Sequence, residues 1–338
     1  MTQSNSKAIL QTSATTSSTA KIETKSTLRY QPGMGALVRF TALFTTGNSG
    51  STQIIGIGDT NDGFFFGYNG SSFGVLRRKN GLDNWTPQAS WNMDKLDGTG
   101  SSGLILDPTK GNVYSIQYQW LGFGMIYFYI ENQNTGDLLL VHKIPYANAN
   151  TDPSIFNPVL PLMAQVSNTT NNTNIKLETA SAMGFIEGML DNNAIITKNS
   201  IDTYKTGITT EVAILTIRNK DTFLTKTNRV NIKLAYLSAG SDGNKTVTIR
   251  LIKNTTLGGT PSYTDINTDT SVVEYDTAGT TLTGGIRILN FKLSKVDATQ
   301  LILQPLNIKL TPGDTLTISA ASASATEIDV GISWEELW

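Results

Sequence analysis

An all-β chain of two antiparallel, jelly-roll-like β-sandwich domains is what three features of this sequence predict. Apolar residues recur with period two in short runs: Val38, Phe40, Ala42 and Phe44 alternate with Arg39, Thr41, Leu43 and Thr45. Turn chemistry punctuates these runs, as at Asp62-Gly63, Asn69-Gly70 and Pro312-Gly313-Asp314. Charged residues are only 16% of the 338 positions, against about 25% in an average soluble protein, and uncharged polar residues and glycine take their place. Threonine-rich, weakly charged surfaces suit extended structure. The 39% apolar content supplies a core, and the length exceeds one typical domain.

Residues 1–27 are rich in Ser and Thr and low in complexity. They predict an extended N-terminal arm, either a free tail or a segment ordered against a neighbouring subunit. Residues 28–190 read as the first sandwich, a concanavalin-like jelly roll. Strands are expected at 53–57, 64–68 and 72–77, the last two joined by Asn69-Gly70, the strongest short hairpin signal. Phe64, Phe66 and Tyr68 share one face of their strand while Phe65 and Gly67 share the other, so this strand is expected to be covered on both sides. Gly67 and Gly74 leave room for close approach of a neighbour. Further strands are expected at 112–118, 122–131 and 138–144, with a corner at 120–124. Residues 148–161 read as loop and 167–174 as an exposed turn. The segment 175–188 returns to the sheet, with a short helix over 180–190 as the alternative, since Met183, Ile186 and Leu190 share a helical face. Residues 191–208 lose periodicity and predict a linker. Residues 209–338 read as a second sandwich, closing on a strand whose Ile328, Val330, Ile332 and Trp334 alternate cleanly.

Candidate chemistry is sparse. The net charge is −1, and Arg77, Arg78 and Lys79 form the densest basic run, too short for a nucleic-acid footprint; it reads as a solvated strand end or a set of ion-pair partners. There is no cysteine, hence no disulfide and no thiolate nucleophile. The N-terminus lacks the apolar core of a signal peptide, and the longest apolar run, 120–130, falls short of the roughly 20 residues that span a bilayer. Synthesis in the cytoplasm without membrane insertion is the expectation. His142 is the only histidine; it reads as a strand side chain, and zinc sites built on several His or Cys are excluded by count. Asp59, Asn61 and Asp62 suggest a calcium loop, but Gly63 stands where a third ligand belongs and Gly70 where a bidentate Glu belongs. Glu327 and Asp329 share a strand face that continues into Gly331, and Glu335 and Glu336 lie beside the end of the sequence; all four read as solvent-facing charges. No catalytic, metal-binding or cofactor-binding residue is assigned, and a non-enzymatic role is expected.

The stretches RYQPGMGALVRFTALF, QIIGIGDTNDGFFFGYNGSSFGVLRR and NVYSIQYQWLGFGMIYFYIENQNTG resemble a family of virion proteins found in tailed bacteriophages and large DNA viruses. SVVEYD, TGG, LTPGDTLTIS and SWEELW look like the domain that often accompanies it. The resemblance covers most of residues 28–338 and is more specific in the first domain. It implies a structural role as a capsid decoration, fibre, tail or baseplate component, and brings no catalytic residues with it. The first domain also looks loosely like concanavalin- or laminin-G-type jelly rolls, an analogy of fold only.

Two functional expectations follow. The first is a virion structural protein, exposed on the particle, that joins other capsid or tail proteins and assembles as a homo-oligomer, a trimer, through its N-terminal arm and its sandwich faces. The second is a module that attaches a virus to a host surface glycan. Trp85, Trp91, Tyr146 and Trp338 are the candidate glycan-platform or interface aromatics; Trp120 and Trp334 read as core. A polysaccharide hydrolase is a third reading, needing two acids to converge from distant positions.

Overall fold

The computed structural model describes residues 1–188 and 196–338. The chain divides into two compact units, Met1–Leu190 and Asp191–Trp338. Both are all-β, the described residues add only two short 3-10 turns, and every strand pairing is antiparallel. No helix among the described residues is long and apolar enough to cross a membrane.

The first unit contains β1 (Thr2–Ser4), β2 (Lys7–Gln11), β3 (Thr19–Glu23), β4 (Gly35–Phe44), β5 (Ser51–Gly58), β6 (Gly63–Asn69), β7 (Ser72–Lys79), β8 (Leu82–Pro87), β9 (Asn112–Gln119), β10 (Ile126–Glu131), β11 (Leu138–Ile144), β12 (Leu162–Asn168), β13 (Lys176–Thr179) and β14 (Ala182–Glu187). One sheet runs β1-β2-β13-β4-β9-β10-β11, with β14 also on β4; the other runs β3-β12-β5-β6-β7-β8. Their inner faces meet in a core rich in aromatics, including Phe40, Phe44, Phe64, Phe66, Tyr68, Phe73, Tyr114 and Phe128. Phe66 sits 4.9 Å from Tyr114 and 5.4 Å from Phe128, ring centre to ring centre, within the range where aromatic pairs add to simple burial. The opposite face of β6 is covered as well. Phe65 is fully buried there with Ile54, Leu76 and Met163, under half-buried Trp85. Gly67 and Gly74 face each other in register, and a Cβ on Gly67 would lie 1.8 Å from the carbonyl oxygen of Gln53. The three successive phenylalanines therefore build a strand enclosed on both faces.

Residues 1–27 were expected as an arm. Instead β1 and β2 extend the first sheet through β13, and β3 extends the second through β12. The reason is packing and polar closure. Leu10 is fully buried in the core, and Thr12 Oγ1 accepts the backbone N–H of Ile175 at 2.9 Å and a side-chain N–H of Asn168 at 3.1 Å. The alternative helix over 180–190 is replaced by β14, paired with β4 from Ala182↔Phe40 to Glu187↔Gly35; Leu190 lies outside the described residues.

The second unit contains β15 (Ile196–Lys205), β16 (Val212–Asn219), β17 (Thr222–Phe223), β18 (Lys226–Thr227), β19 (Asn231–Ser241), β20 (Val247–Lys253), β21 (Thr256–Gly259), β22 (Thr264–Asp265), β23 (Val273–Asp276), β24 (Gly279–Thr283), β25 (Ile286–Leu293), β26 (Asp297–Ile302), β27 (Lys309–Leu310), β28 (Thr315–Ser322) and β29 (Ile328–Leu337). A sheet of order β15-β29-β19-β26, with β27 on β19, accompanies one of order β22-β23-β16-β28-β20-β25. The core is aliphatic apart from Trp334 and holds Leu234, Leu251, Ile318 and Ile332. The expected linker at 191–208 is corrected over its described part: 196–205 form β15, paired along their whole length with β29. The partly buried positions of β15 are mainly polar, Thr197, Asn199, Ile201 and Thr203, so its alternation has almost no hydrophobic signature.

Candidate functional site

The four aromatics singled out from the sequence do not form exposed platforms. Trp91 is buried among Phe66 and Phe73, each 6.2 Å away. Trp85 is half-buried against the Phe65 layer. Trp338 is half-buried and packs edge-on to Phe223 at 5.3 Å. The polar 80–100 segment suggested exposure, but Trp91 follows a 3-10 turn, Gln88–Ser90, that folds it inward. Tyr146 is also buried, yet it contributes to the wall of a cleft. Trp120 and Trp334 pack against the cores of their units, as expected.

The cleft containing Tyr146 brings cationic, amide and hydroxyl side chains together in the first unit. It holds about 240 Å³, and its walls come from β7 and β8 of one sheet and from β11 with the following loop of the other. Its position follows from strand alternation. On β7, Phe73 and Val75 point into the core, and two residues on, Arg77 continues that face where the two sheets open. Arg77 Nη1 donates to the Tyr146 hydroxyl at 3.2 Å and to the Ser154 carbonyl at 3.3 Å, and the guanidinium lies 5.3 Å from the Tyr146 ring centre. Tyr146 in turn donates to the Pro153 carbonyl at 3.2 Å. Asn84, opposite Arg77 in register, and Thr86 add polar groups from β8.

The far wall is fixed by Asn92. Its side chain mimics a strand, donating to the Lys143 carbonyl at 2.9 Å and accepting the Lys143 N–H at 3.0 Å. Its backbone N–H donates to His142 Nδ1 at 3.3 Å. A ring that accepts at Nδ1 carries its proton on Nε2 when neutral, and burial lowers the His142 pKa below its usual value. The sole histidine is thus a neutral wall residue beside Phe128, 6.1 Å away.

The basic run splits into three roles. Arg78 faces the other side of β7, forming a fork with Asp83 at 2.6 and 3.1 Å and lying over Phe65. Lys79 lies 3.8 Å from Asp152 and over Phe156. Arg77 has no carboxylate partner among the described residues. The sequence offered no signal for this difference, because it depends on which acids the loops bring near.

The acids weighed as ligands or catalysts are largely engaged in folding. Asp59 accepts the N–H groups of Asn61 and Asp62 at 2.7 and 2.8 Å, and Asp62 accepts those of Asn80, Phe156 and Asn157. Glu336 is a correction: expected at the surface, it is fully buried and accepts four hydrogen bonds, from Ser271 Oγ (2.6 Å), Asn199 (2.9 Å), Trp334 Nε1 (3.0 Å) and the Val272 N–H (3.0 Å). Asp329 lies exposed on a sheet face beside Gly331 and Gly240.

No protein-family model matches the chain, and no curated protein matches it. Among solved structures, similarity is found to the carbohydrate recognition domain of Emp47p, at 10% identity over 55% of this chain and 90% of that one, with a TM-score of 0.32. A putative β-glucanase from Mycobacterium abscessus shows 13% identity over 54% of this chain and 76% of that one, TM-score 0.34. A xylan β-1,4-xylosidase from Bacillus halodurans C-125 shows 12% identity over 47% of this chain, TM-score 0.30, and the match spans only 29% of the xylosidase.

Proposed function

We propose that this chain is a non-enzymatic structural component of a virion, a capsid decoration, fibre or tail/baseplate protein, that assembles through the faces of its sandwiches. The sequence resemblance motivates the reading. The observation that carries it is an exposed sheet face in the second unit. On β15, β29, β19 and β26, small side chains (Gly331 with Ser238, Gly240 with Ala298) line up across the sheet and leave a shallow depression of about 490 Å³ over Ser238, Gly240 and Ala298. Tyr204, Tyr236 and Ile302 stand on the same face with 65%, 40% and 60% of their surface exposed. In the first unit Met183 and Phe185 stand out from one face of β14. Sheet faces carrying exposed large apolar side chains are what subunit packing covers. Residues 1–27 drop out of the assembly proposal, since their strands belong to the sheets of their own unit.

The test is solution mass by light scattering. The full chain is expected at a multiple of 36.5 kDa, a trimer in this reading, and Tyr236→Lys with Ile302→Lys is expected to shift it toward the monomer. A full-length chain that is monomeric at micromolar concentration would remove self-assembly and leave docking onto other virion proteins.

A second reading, attachment to a host surface glycan, is favoured by one observation: the Arg77–Tyr146 cleft, lined by amide, hydroxyl and cationic groups. A glycan array probed with the full chain tests it, with no retained sugar as the negative result.

A further inference from the structure

We propose that the Arg77 cleft is a subsite for the anionic group of an acidic sugar, a carboxylate or a sulfate carried on a hydroxylated ring. The proposal rests on the glycan reading and names the ligand class of that cleft.

Charge comes first. Arg77 and Lys143 both line the cleft, no carboxylate lines it, and neither cation has an ion-pair partner among the described residues. In a chain of net charge −1, a concave site holding two cations and no acid is a local excess of positive potential, which attracts an anion.

Geometry comes second. Both hydrogen bonds of Arg77 to the protein leave from Nη1. Nε and Nη2 donate to no protein atom among the described residues. These two nitrogens form the edge of a guanidinium that grips a carboxylate or sulfate through two parallel N–H···O bonds. Tyr146 and Ser154 hold the guanidinium through Nη1, so its Nε–Nη2 edge is ordered before any ligand arrives, which lowers the ordering cost of binding.

The remaining lining fits a sugar ring. Asn84 and Thr86 offer uncharged donors and acceptors for hydroxyls, and Pro145 offers an apolar wall. The volume of about 240 Å³ is below the roughly 300 Å³ at which drug-sized pockets begin, room for one ring with its charged substituent.

The test titrates the full chain with the methyl glycosides of glucuronic acid, of glucose 6-sulfate and of neutral glucose, read by NMR shifts of the Arg77 Nε–H and the His142 ring. One or both acidic glycosides are expected to bind and shift both signals, and which one binds distinguishes carboxylate from sulfate. Neutral glucoside is expected to bind at least about tenfold more weakly, the scale of a charge-assisted pair. Arg77→Gln is expected to lose the acidic preference. Because Arg77 also braces Tyr146, a second variant is needed: Asn84→Glu leaves Arg77 in place, sets a carboxylate opposite it, and is expected to abolish acidic-sugar binding at an exposed, tolerant position. Equal binding of neutral and acidic glycosides, or acidic binding unchanged in both variants, overturns the proposal while the glycan reading stands. Glycan-array binding insensitive to both variants does the same. No binding of any sugar, on the array or in titration, overturns both.

Discussion

The Trp334 indole donates its Nε1–H to Glu336 Oε1, 3.0 Å away and two residues further along β29, and both side chains are buried on the inner side of the strand. Three more donors converge on the same carboxylate, none of them a cation. A buried carboxylate held by neutral donors ties β29 to β15 through Asn199 and to the 271–272 segment through Ser271 and Val272.

Glu336→Gln keeps the shape and replaces an acceptor by an amide N–H₂ group. At least one neighbouring donor then meets a donor. The expected loss is about 1–3 kcal/mol for the second unit, read as a lower urea midpoint and checked by the fluorescence of Trp334.

The paired glycines of the β6–β7 hairpin set a steric limit. A Cβ on Gly67 falls against the backbone of Gln53 and Ile54, which neither strand can move without breaking its ladder. Gly67→Ala is expected to cost about 1–3 kcal/mol. Gly70→Ala, in the turn, meets only an ordinary contact, 3.8 Å to Ser49 Cα, but keeps φ at +60°, and about 1 kcal/mol is expected there. The order of the two thermal midpoints checks the assignment.

Leu10→Ala tests whether the first residues are part of the fold. A fully buried leucine in the core predicts a loss of about 2–5 kcal/mol; a free arm predicts none. Deleting residues 1–24 is expected to leave a first unit that aggregates or melts early, because β12 and β13 each lose a hydrogen-bonded neighbour.

Acid should weaken the two units in different windows. Burial lowers the His142 pKa, so the unfolded chain takes up its proton first. That contribution to stability is complete above the ordinary histidine value of about 6.5 and is lost as pH falls below it. At Asp314, burial alone would raise the carboxyl, but hydrogen bonds from Asn254, Thr311 and Lys253 outweigh it and hold it well below the usual carboxylate range. Its contribution is complete above about pH 3.9 and disappears below. Urea midpoints of the first unit should drop between pH 7 and 5, and less so in His142→Gln. Those of the second should drop between pH 4 and 2, and Asp314→Asn should flatten that limb.

Where local chemistry dictated structure, the sequence was readable. The β6–β7 hairpin turns at the Asn69-Gly70 signal, with Asn69 paired to Ser72 and Gly70 and Ser71 at the bend, and Ile328, Val330, Ile332 and Trp334 do face the core of the second unit. Elements whose partners lie far along the chain were not. The strand holding Leu10 is five residues long, and the bond between Thr12 and Asn168 spans 156 positions, so nothing near it in sequence marks it as more than a polar tail. β15 hides its periodicity in threonine and asparagine. The cleft was legible only as Tyr146. Arg77 gains its meaning from having no acid beside it among the described residues, and a missing neighbour leaves no trace in a sequence.

The register of β15 against β29 carries a mechanical consequence. Ile196 stands opposite Leu337, and pairing proceeds residue by residue to Lys205 opposite Ile328. In an antiparallel pair the bonds run perpendicular to the strands. Tension applied between Ile196 and Leu337 therefore pulls along the bonds at one end of the ladder and opens them in sequence, like a zip, rather than shearing all of them at once. If this unit is stretched by those two points, peeling of β15 is its first yielding step, at low force, with the sheet β22-β23-β16-β28-β20-β25 still intact behind it.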